Sequence, residues 1–330
     1  MKAAVLVDAK KVEYREDYPK PTPGPDDVIV KVHYCGVCGS DLTNFKYRLY
    51  QVPLIMGHEF SGEIVKLGTN VKSWKAGDKV VGINVALKVG ETSGMGIFQD
   101  GGYAEFVKVP TKYLFAAPEF LSYKDAIFIE TFANAFRAMK LCNIGKNEKI
   151  MIIGAGPIGL TLLQALITEK EPEYIIVVEL NEFLREQAIK IGATDAFPPS
   201  RVKINRFTKK NRRPTYIFDC AGTEATIKIA MDHITKGGNI VLEGMHKGSI
   251  DFPIMTINTK EIHLIGVIGH DRDDILNSIN FFEEKKFDSS KFITEIIQLK
   301  DIQRSLERFL EPEKREFVKM IIQMKKKKLY

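Results

Sequence analysis

Two patterns of apolar spacing divide the chain. In the first third, short β-branched runs alternate with glycine, proline and aspartate. Residues 27–32, Asp-Val-Ile-Val-Lys-Val, follow the turn signal Pro23-Gly24-Pro25, and the runs at 62–67, 79–83 and 103–109 are bounded in the same way. Runs of this length with little helical periodicity predict a small antiparallel β domain. After about residue 140 the pattern changes. Ile150 to Ile153 and Ile175 to Val178 are continuous apolar runs, as expected of strands buried on both faces. Helical segments at 158–167 and 183–191 follow them, and further apolar runs stand at 216–218, 240–242 and 262–267. Strands alternating with helices predict a doubly wound α/β domain, a parallel sheet joined by right-handed crossovers. Over the last sixty residues the alternation fades. Residues 274–284 read as a helix and 317–324 as a strand with which the chain returns to complete the first domain.

Length agrees with two domains, because 330 residues exceed what one hydrophobic core serves. Hydrophobic residues at 45% and charged residues at 27% are ordinary globular values. No apolar run is long enough to cross a bilayer, and the run at 3–7 is too short for a signal peptide, so a cytoplasmic protein is expected, without membrane contact. The formal charge of +6 is small for this length. The run Lys325 to Lys328 has no aromatic or amphipathic accompaniment and reads as a solvated tail, so no nucleic-acid partner is expected.

The six-residue segment Gly154-Ala155-Gly156-Pro157-Ile158-Gly159 has the glycine spacing of a dinucleotide loop. It directly follows a buried strand and opens a helix, which is the context that the fingerprint needs. The first glycine permits the tight turn, the second lets backbone approach a pyrophosphate, and the third packs helix on strand. Twenty residues past Gly159, at the end of the second strand, Glu179 can accept hydrogen bonds from ribose hydroxyls and would repel a 2′-phosphate. NAD is therefore expected over NADP, although Arg185 lies close enough in sequence to assist a phosphate.

The cysteines are Cys35, Cys38, Cys142 and Cys220, too few and too scattered for a disulfide framework. Cys35 and Cys38 form a CxxC, the spacing of a redox pair or of half a structural zinc site. No second CxxC exists, which excludes a four-cysteine site. Twenty residues beyond Cys38 stand His58 and Glu59 in Gly57-His58-Glu59-Phe60-Ser61-Gly62. A thiolate, an imidazole and a carboxylate from separate loops suit a catalytic zinc, which keeps three protein ligands and one open position.

These segments together resemble the medium-chain zinc dehydrogenase/reductase family. The resemblance runs through CGVCGSDL, GHEFSGEIVKLGTNV, AGDKVVG, DGGYAEF, GAGPIGL, VVELNEFLREQAIKIGA, DCAGTEATI and GGNIVLEG, in order over nearly the whole chain. It implies a GroES-like β-rich catalytic domain over 1–135 and 271–330, and a Rossmann NAD-binding domain over 136–270. It also implies that Cys38 and His58 bind zinc, with Glu59 a ligand or exchangeable neighbour and Glu130, opening Glu130-Thr131-Phe132-Ala133, at the family's third ligand position. Ser40 would relay the substrate proton, Asp41 would orient the ligand loop, and Gly222 would lie near the nicotinamide. Glu130 points to the sorbitol-like branch and so to polyol or sugar-alcohol substrates. Dimers or tetramers are implied, with the strand at 262–268 as the pairing element.

Three departures qualify the transfer. The family's lobe of four close cysteines is replaced by a cysteine-free segment at 84–100, so one catalytic zinc per subunit and no structural zinc are expected. Thr43 stands where a relay histidine is frequent. Thr131 and Arg137 replace a proline and a histidine after the junction glutamate. The expected reaction is hydride transfer between a secondary alcohol and NAD. Its rivals are a zinc-free NAD(P)H-dependent reductase of the same fold and a noncatalytic NAD-binding redox sensor using Cys35 and Cys38.

Overall fold

The β-branched runs of the first third are strands in the computed structural model of the chain, which describes residues 1–84, 94–245, 249–284, 289–311 and 315–324. Residues 85–93 of the cysteine-free segment and the lysine run at 325–328 lie outside the described residues. The chain divides into two units. One comprises the described parts of Met1–Glu130, Ser278–Arg315 and Lys319–Tyr330, the other those of Thr131–Asn277 with Glu316–Val318.

In the first unit, β1 (Ala3–Asp8) and β2 (Lys11–Arg15) lead into the long β3 (Asp27–Gly36), the helix α1 (Gly39–Tyr47), β4 (Leu54–Ile55) and β5 (Glu59–Leu67). Then come β6 (Lys79–Ile83), β7 (Phe106–Pro110), β8 (Leu114–Ala116) and α2 (Tyr123–Ala126), while α3 (Phe128–Cys142) starts in this unit and belongs from Thr131 onwards to the second. A small antiparallel sheet has the order β2-β1-β4. In the larger one β3 pairs antiparallel with β5 along its length, setting Cys35 opposite Phe60. The other edge of β3 is divided. Asp27 to Lys31 pair with β7, which frees the last residues, Tyr34 to Gly36, for a strand from the chain's far end.

The second unit holds the doubly wound domain. Its elements are β9 (Lys149–Ile153), α4 (Pro157–Lys170), β10 (Tyr174–Val178), α5 (Glu182–Ile191), β11 (Asp195–Phe197) and α6 (Arg201–Asn211), then β12 (Tyr216–Asp219), α7 (Glu224–His233), β13 (Asn239–Leu242), α8 (Ile254–Lys260) and β14 (His263–Gly266). The sheet order β11-β10-β9-β12-β13-β14, with every pair parallel, reverses direction between β9 and β12. Ligands of such sheets lie outside the strands' carboxyl ends at that reversal. β10 is buried at every position and β9 from Ile150 to Ile153, as continuous apolar runs require. Met151, Ile176, Ile217 and Ile240 share one core with Ile227 and Met231 of α7.

The helix α9 (Arg272–Glu284) follows, and β15 (Ile293–Gln298), α10 (Ile302–Phe309) and β16 (Lys319–Gln323) return to the first unit. β16 takes the free end of β3, with Ile321 opposite Gly36. β15 departs from the purely antiparallel expectation, pairing parallel with β16 because α10 supplies the long crossover that a parallel pair needs. No helix among the described residues is long and apolar enough to cross a membrane.

Candidate functional site

The metal-type residues of the first unit meet where β3, α1, β5 and β16 come together. Cys38 is the N-cap of α1 in extended conformation, and its amide donates to Asp41 Oδ2 at 3.0 Å. The same carboxylate oxygen accepts from the Tyr103 hydroxyl at 2.9 Å, while Asp41 Oδ1 lies 3.5 Å from His58 Nδ1. That last contact is electrostatic, since the buried Nδ1 has no hydrogen-bond partner among the described residues. The His58 loop is pinned by Gly102 N to Gly57 O at 2.7 Å and Tyr103 N to Met56 O at 3.0 Å. Ser40 Oγ stands 3.4 Å from His58 Nε2. Asp41 thus ties the sulfur-bearing loop, the imidazole and a tyrosine into one arrangement.

Its electrostatics follow from burial. Desolvation opposes charge on Asp41, but the His58 imidazole, the Cys38 amide and the Tyr103 hydroxyl outweigh it and hold the carboxyl below its usual range. Desolvation also opposes a charged His58, yet Asp41 and the neighbouring Cys38 sulfur lift the imidazole well above its ordinary value. The pocket therefore favours positive charge beside Cys38. Cys35, by contrast, is wholly buried, and burial followed by Asp41 and Glu59 drives its thiol well up. A redox pair needs an accessible low-pKa thiolate, which Cys35 does not offer.

Glu59 has a partner that the sequence concealed. Its Oε1 meets Lys319 Nζ at 2.5 Å, and both side chains are sealed from solvent. The approach depends on Gly36, where an added Cβ would lie 2.9 Å from Glu59 Oε1 and 3.0 Å from Lys319 Cε. Burial raises the Glu59 carboxyl, Lys319 opposes the rise, and Glu130 reinforces it. Lys319 is kept charged against desolvation by Glu59, Cys38 and Glu130 together, so one ammonium stands among the sulfur and both carboxylates. Glu130 is buried in the first turn of α3.

Among the described residues, no three His, Cys, Asp or Glu side chains form a ready-made metal cage. The donor chemistry nevertheless fits zinc. A sulfur and an imidazole are neighbours, and the imidazole's second nitrogen faces a carboxylate, as for ligating histidines generally. Glu59 is engaged elsewhere. Of the departing positions, Thr43 Oγ1 donates to Gly39 O at 3.1 Å, and Arg137 pairs with Asp271 at 2.9 Å. Phe132 is fully buried and Phe136 half-buried.

In the second unit, the loop between β9 and α4 has the shape that its glycines demand. Gly154 has φ +97°, and a Cβ on Gly159 would lie 2.0 Å from Gly154 O. Around Gly156 the space is open, with nothing within 4 Å of a built Cβ, and Pro157 opens α4 behind it. A glycine with open space before it and a helix N-terminus together form a phosphate cradle. Ile158 lies half-buried in the first turn. Glu179, just past β10, accepts from Ala155 N at 2.8 Å and from Asn181 N at 2.9 Å, so its carboxylate borders the cradle. Arg185 donates to the carbonyls of Glu179 and Leu180 at 2.9 and 2.5 Å. Gly222 (φ +69°) turns the chain after β12, its amide held by the buried Asp219 at 3.0 Å. The loop's geometry fits a dinucleotide.

Comparison with known proteins places both halves. The family model described as alcohol dehydrogenase GroES-like domain matches residues 24–119, and that described as zinc-binding dehydrogenase matches 157–284. An L-threonine 3-dehydrogenase of Shewanella baltica is 26% identical over 93% of this chain and 96% of its own length. A D-xylulose reductase of Saccharomyces cerevisiae is 28% identical over 86% of each. The crystal structure of 2R,3R-butanediol dehydrogenase from Bacillus subtilis superposes with a TM-score of 0.88 at 25% identity, covering 98% of this chain and 99% of that one. With both family models matched in order over most of its length, the chain belongs to the medium-chain dehydrogenase/reductase family of zinc-binding alcohol and polyol dehydrogenases.

Proposed function

We propose that the protein is a zinc-dependent oxidoreductase that interconverts a secondary alcohol and its ketone with NAD as hydride acceptor. The observation that carries this reading is the convergence of Cys38, His58, Ser40 and Asp41 through contacts of 3.0 to 3.5 Å in the first unit. Cys38 and His58 would hold the metal, one per subunit, with no structural zinc. Because Lys319 occupies Glu59, Glu130 is the better candidate for the third ligand. Bound there, zinc supplies Lewis acidity that lowers the pKa of an alcohol. Asp41 fixes the His58 ring. Ser40, beside Nε2, accepts the hydroxyl proton and passes it towards solvent.

In the second unit, the Gly154, Gly156 and Gly159 loop with Pro157 and Ile158 would cradle the pyrophosphate, and Glu179 would bind the adenosine ribose and repel a 2′-phosphate. Arg185, spent on backbone carbonyls, adds little to phosphate binding. Gly222 would border the nicotinamide half. Threonine, butanediol and xylulose, named for the similar proteins, share a hydroxyl or carbonyl carbon beside a second polar substituent. The substrate proposed here is of that kind, a polyol or sugar alcohol by preference. The edge strand β14, exposed at His263, Leu264 and Gly266 with Ile268 81% exposed beyond it, is the proposed pairing surface of a homodimer. Vicinal diols, sugar alcohols and amino alcohols screened for NADH formation test the reading. Activity confined to alcohols with an adjacent polar group is expected, and zinc-independent reduction of enoyl or quinone compounds alone would refute it.

A further inference from the structure

The carboxyl ends of β12 and β13 carry an acid that none of the roles above uses. Asp219 and Leu242, the last residues of these strands, pair in register, and the residues that follow them are Cys220 and Glu243. Cys220 Sγ donates to Glu243 Oε2 at 3.4 Å. The other carboxyl oxygen, Oε1, is shielded from solvent and has no hydrogen-bond partner among the described residues. Burial pushes the Glu243 carboxyl up to about 8, with the Cys220 contact working the other way.

Among the described residues, the titratable groups around it bring no positive charge. Cys220 is driven up by burial and then by Glu243 itself. Cys142, at the end of α3, is pushed up to about 12 by burial with a contribution from Glu243. Asp219 is occupied by the Ala221 and Gly222 amides and the Thr226 hydroxyl. A buried carboxyl with one oxygen unpartnered is costly to ionise, and a cation placed beside it recovers that cost.

The proposed function identifies where such a cation arises. The phosphate cradle follows β9 and the ribose-binding Glu179 follows β10, so the rest of a dinucleotide runs over β12 and β13. Its nicotinamide ring carries a positive charge when oxidised and none when reduced. We infer that Glu243 discriminates between the two oxidation states of the coenzyme, its carboxylate favouring the cationic ring and its proton leaving to solvent as the oxidised form binds. Once hydride arrival neutralises the ring, the carboxylate loses its partner and takes a proton back from solvent. The inference rests on the nicotinamide reading above.

Calorimetric titration of the zinc-loaded full chain with oxidised and with reduced NAD, between about pH 6.5 and 8.5, tests it. A fall of one unit in the bound carboxyl's pKa corresponds to a rise of about sixfold in affinity for oxidised NAD across that range, and flat affinity for reduced NAD. Glu243→Gln is expected to remove the rise for oxidised NAD and leave reduced NAD unchanged. Wild-type protein titrated near about pH 7.5 in buffers of different ionisation enthalpy is expected to release about half a proton per oxidised NAD bound, a readout that needs no variant. Equal pH dependence for both coenzyme forms, the same proton release from Glu243→Gln, or no release from wild type would overturn the inference. A wild type that binds neither form would instead overturn the coenzyme reading beneath it.

Discussion

Removing the ammonium of Lys319 exposes what the buried pair with Glu59 does for the first unit. Lys319→Met keeps most of the side chain's length and apolar surface while stranding one carboxylate. The two charges stand 2.5 Å apart with side-chain exposures of 2% and 0%. At an effective dielectric near 20, attraction at that separation is about 7 kcal/mol, from which desolvation of both groups must be subtracted. Breaking such a pair from one side costs roughly 3–5 kcal/mol, because the remaining charge is left buried and unpaired. Glu130 acts on Glu59 in the same direction as burial, which places the loss towards the upper end. Glu59→Gln alone should cost a similar amount by stranding Lys319. The double variant Lys319→Met with Glu59→Gln should regain most of the loss, since neither charge then remains. Urea unfolding followed by the fluorescence of the single tryptophan, Trp74, reports on this unit. Single variants within about 1 kcal/mol of wild type, or losses that simply add in the double variant, would refute the reasoning.

Other consequences are as direct. Glu179→Ala should narrow the preference for NAD over NADP, read as the ratio of kcat/KM values; a wild type that already favours NADP contradicts the role given to Glu179. Glu243, with a folded-state pKa of about 8 against an ordinary value of 4.5, contributes stability that is complete below pH 4.5 and is lost as pH rises to about 8. Glu243→Gln should therefore gain on wild type in urea midpoint from about pH 5 to 8 and keep a constant lead above that, whereas a pH-independent difference would show that this carboxyl does not titrate there. Ile268→Asp should shift the light-scattering mass towards that of one chain if β14 is the pairing edge, and an unchanged mass would move the interface elsewhere.

What could be read from the sequence was what local spacing encodes. Strands buried on both faces must be apolar throughout, so the runs at 150–153 and 175–178 announced the parallel sheet, and the glycine loop announced itself by following one of them. Cys38 and His58 were legible because each sits in a short glycine-marked segment. Long-range partnerships were not. Lys319 is 260 residues from Glu59 in sequence, and a lone lysine in an apolar strand carries no mark of what it faces. Tyr103, which fixes Asp41 across 62 residues, carries in the sequence no mark beyond that of a residue in a strand-like run. The helix α6 buries little besides Ile204 and Thr208, so its periodicity is faint, and β15 owes its existence to pairing with β16. Glu243 resembles an ordinary charged residue after a strand until the register with Cys220 shows it half-partnered.

The central claim is that the sulfur of Cys38 and the imidazole of His58 share a catalytic metal ion. Zinc content measured alongside turnover and NAD affinity, in wild type and in Cys38→Ala, tests it most directly. The account predicts about one zinc per wild-type chain, loss of both zinc and turnover in Cys38→Ala, and NAD affinity in the variant close to that of wild type. Undiminished turnover in Cys38→Ala, or wild-type turnover with less than about 0.2 zinc per chain, would contradict it.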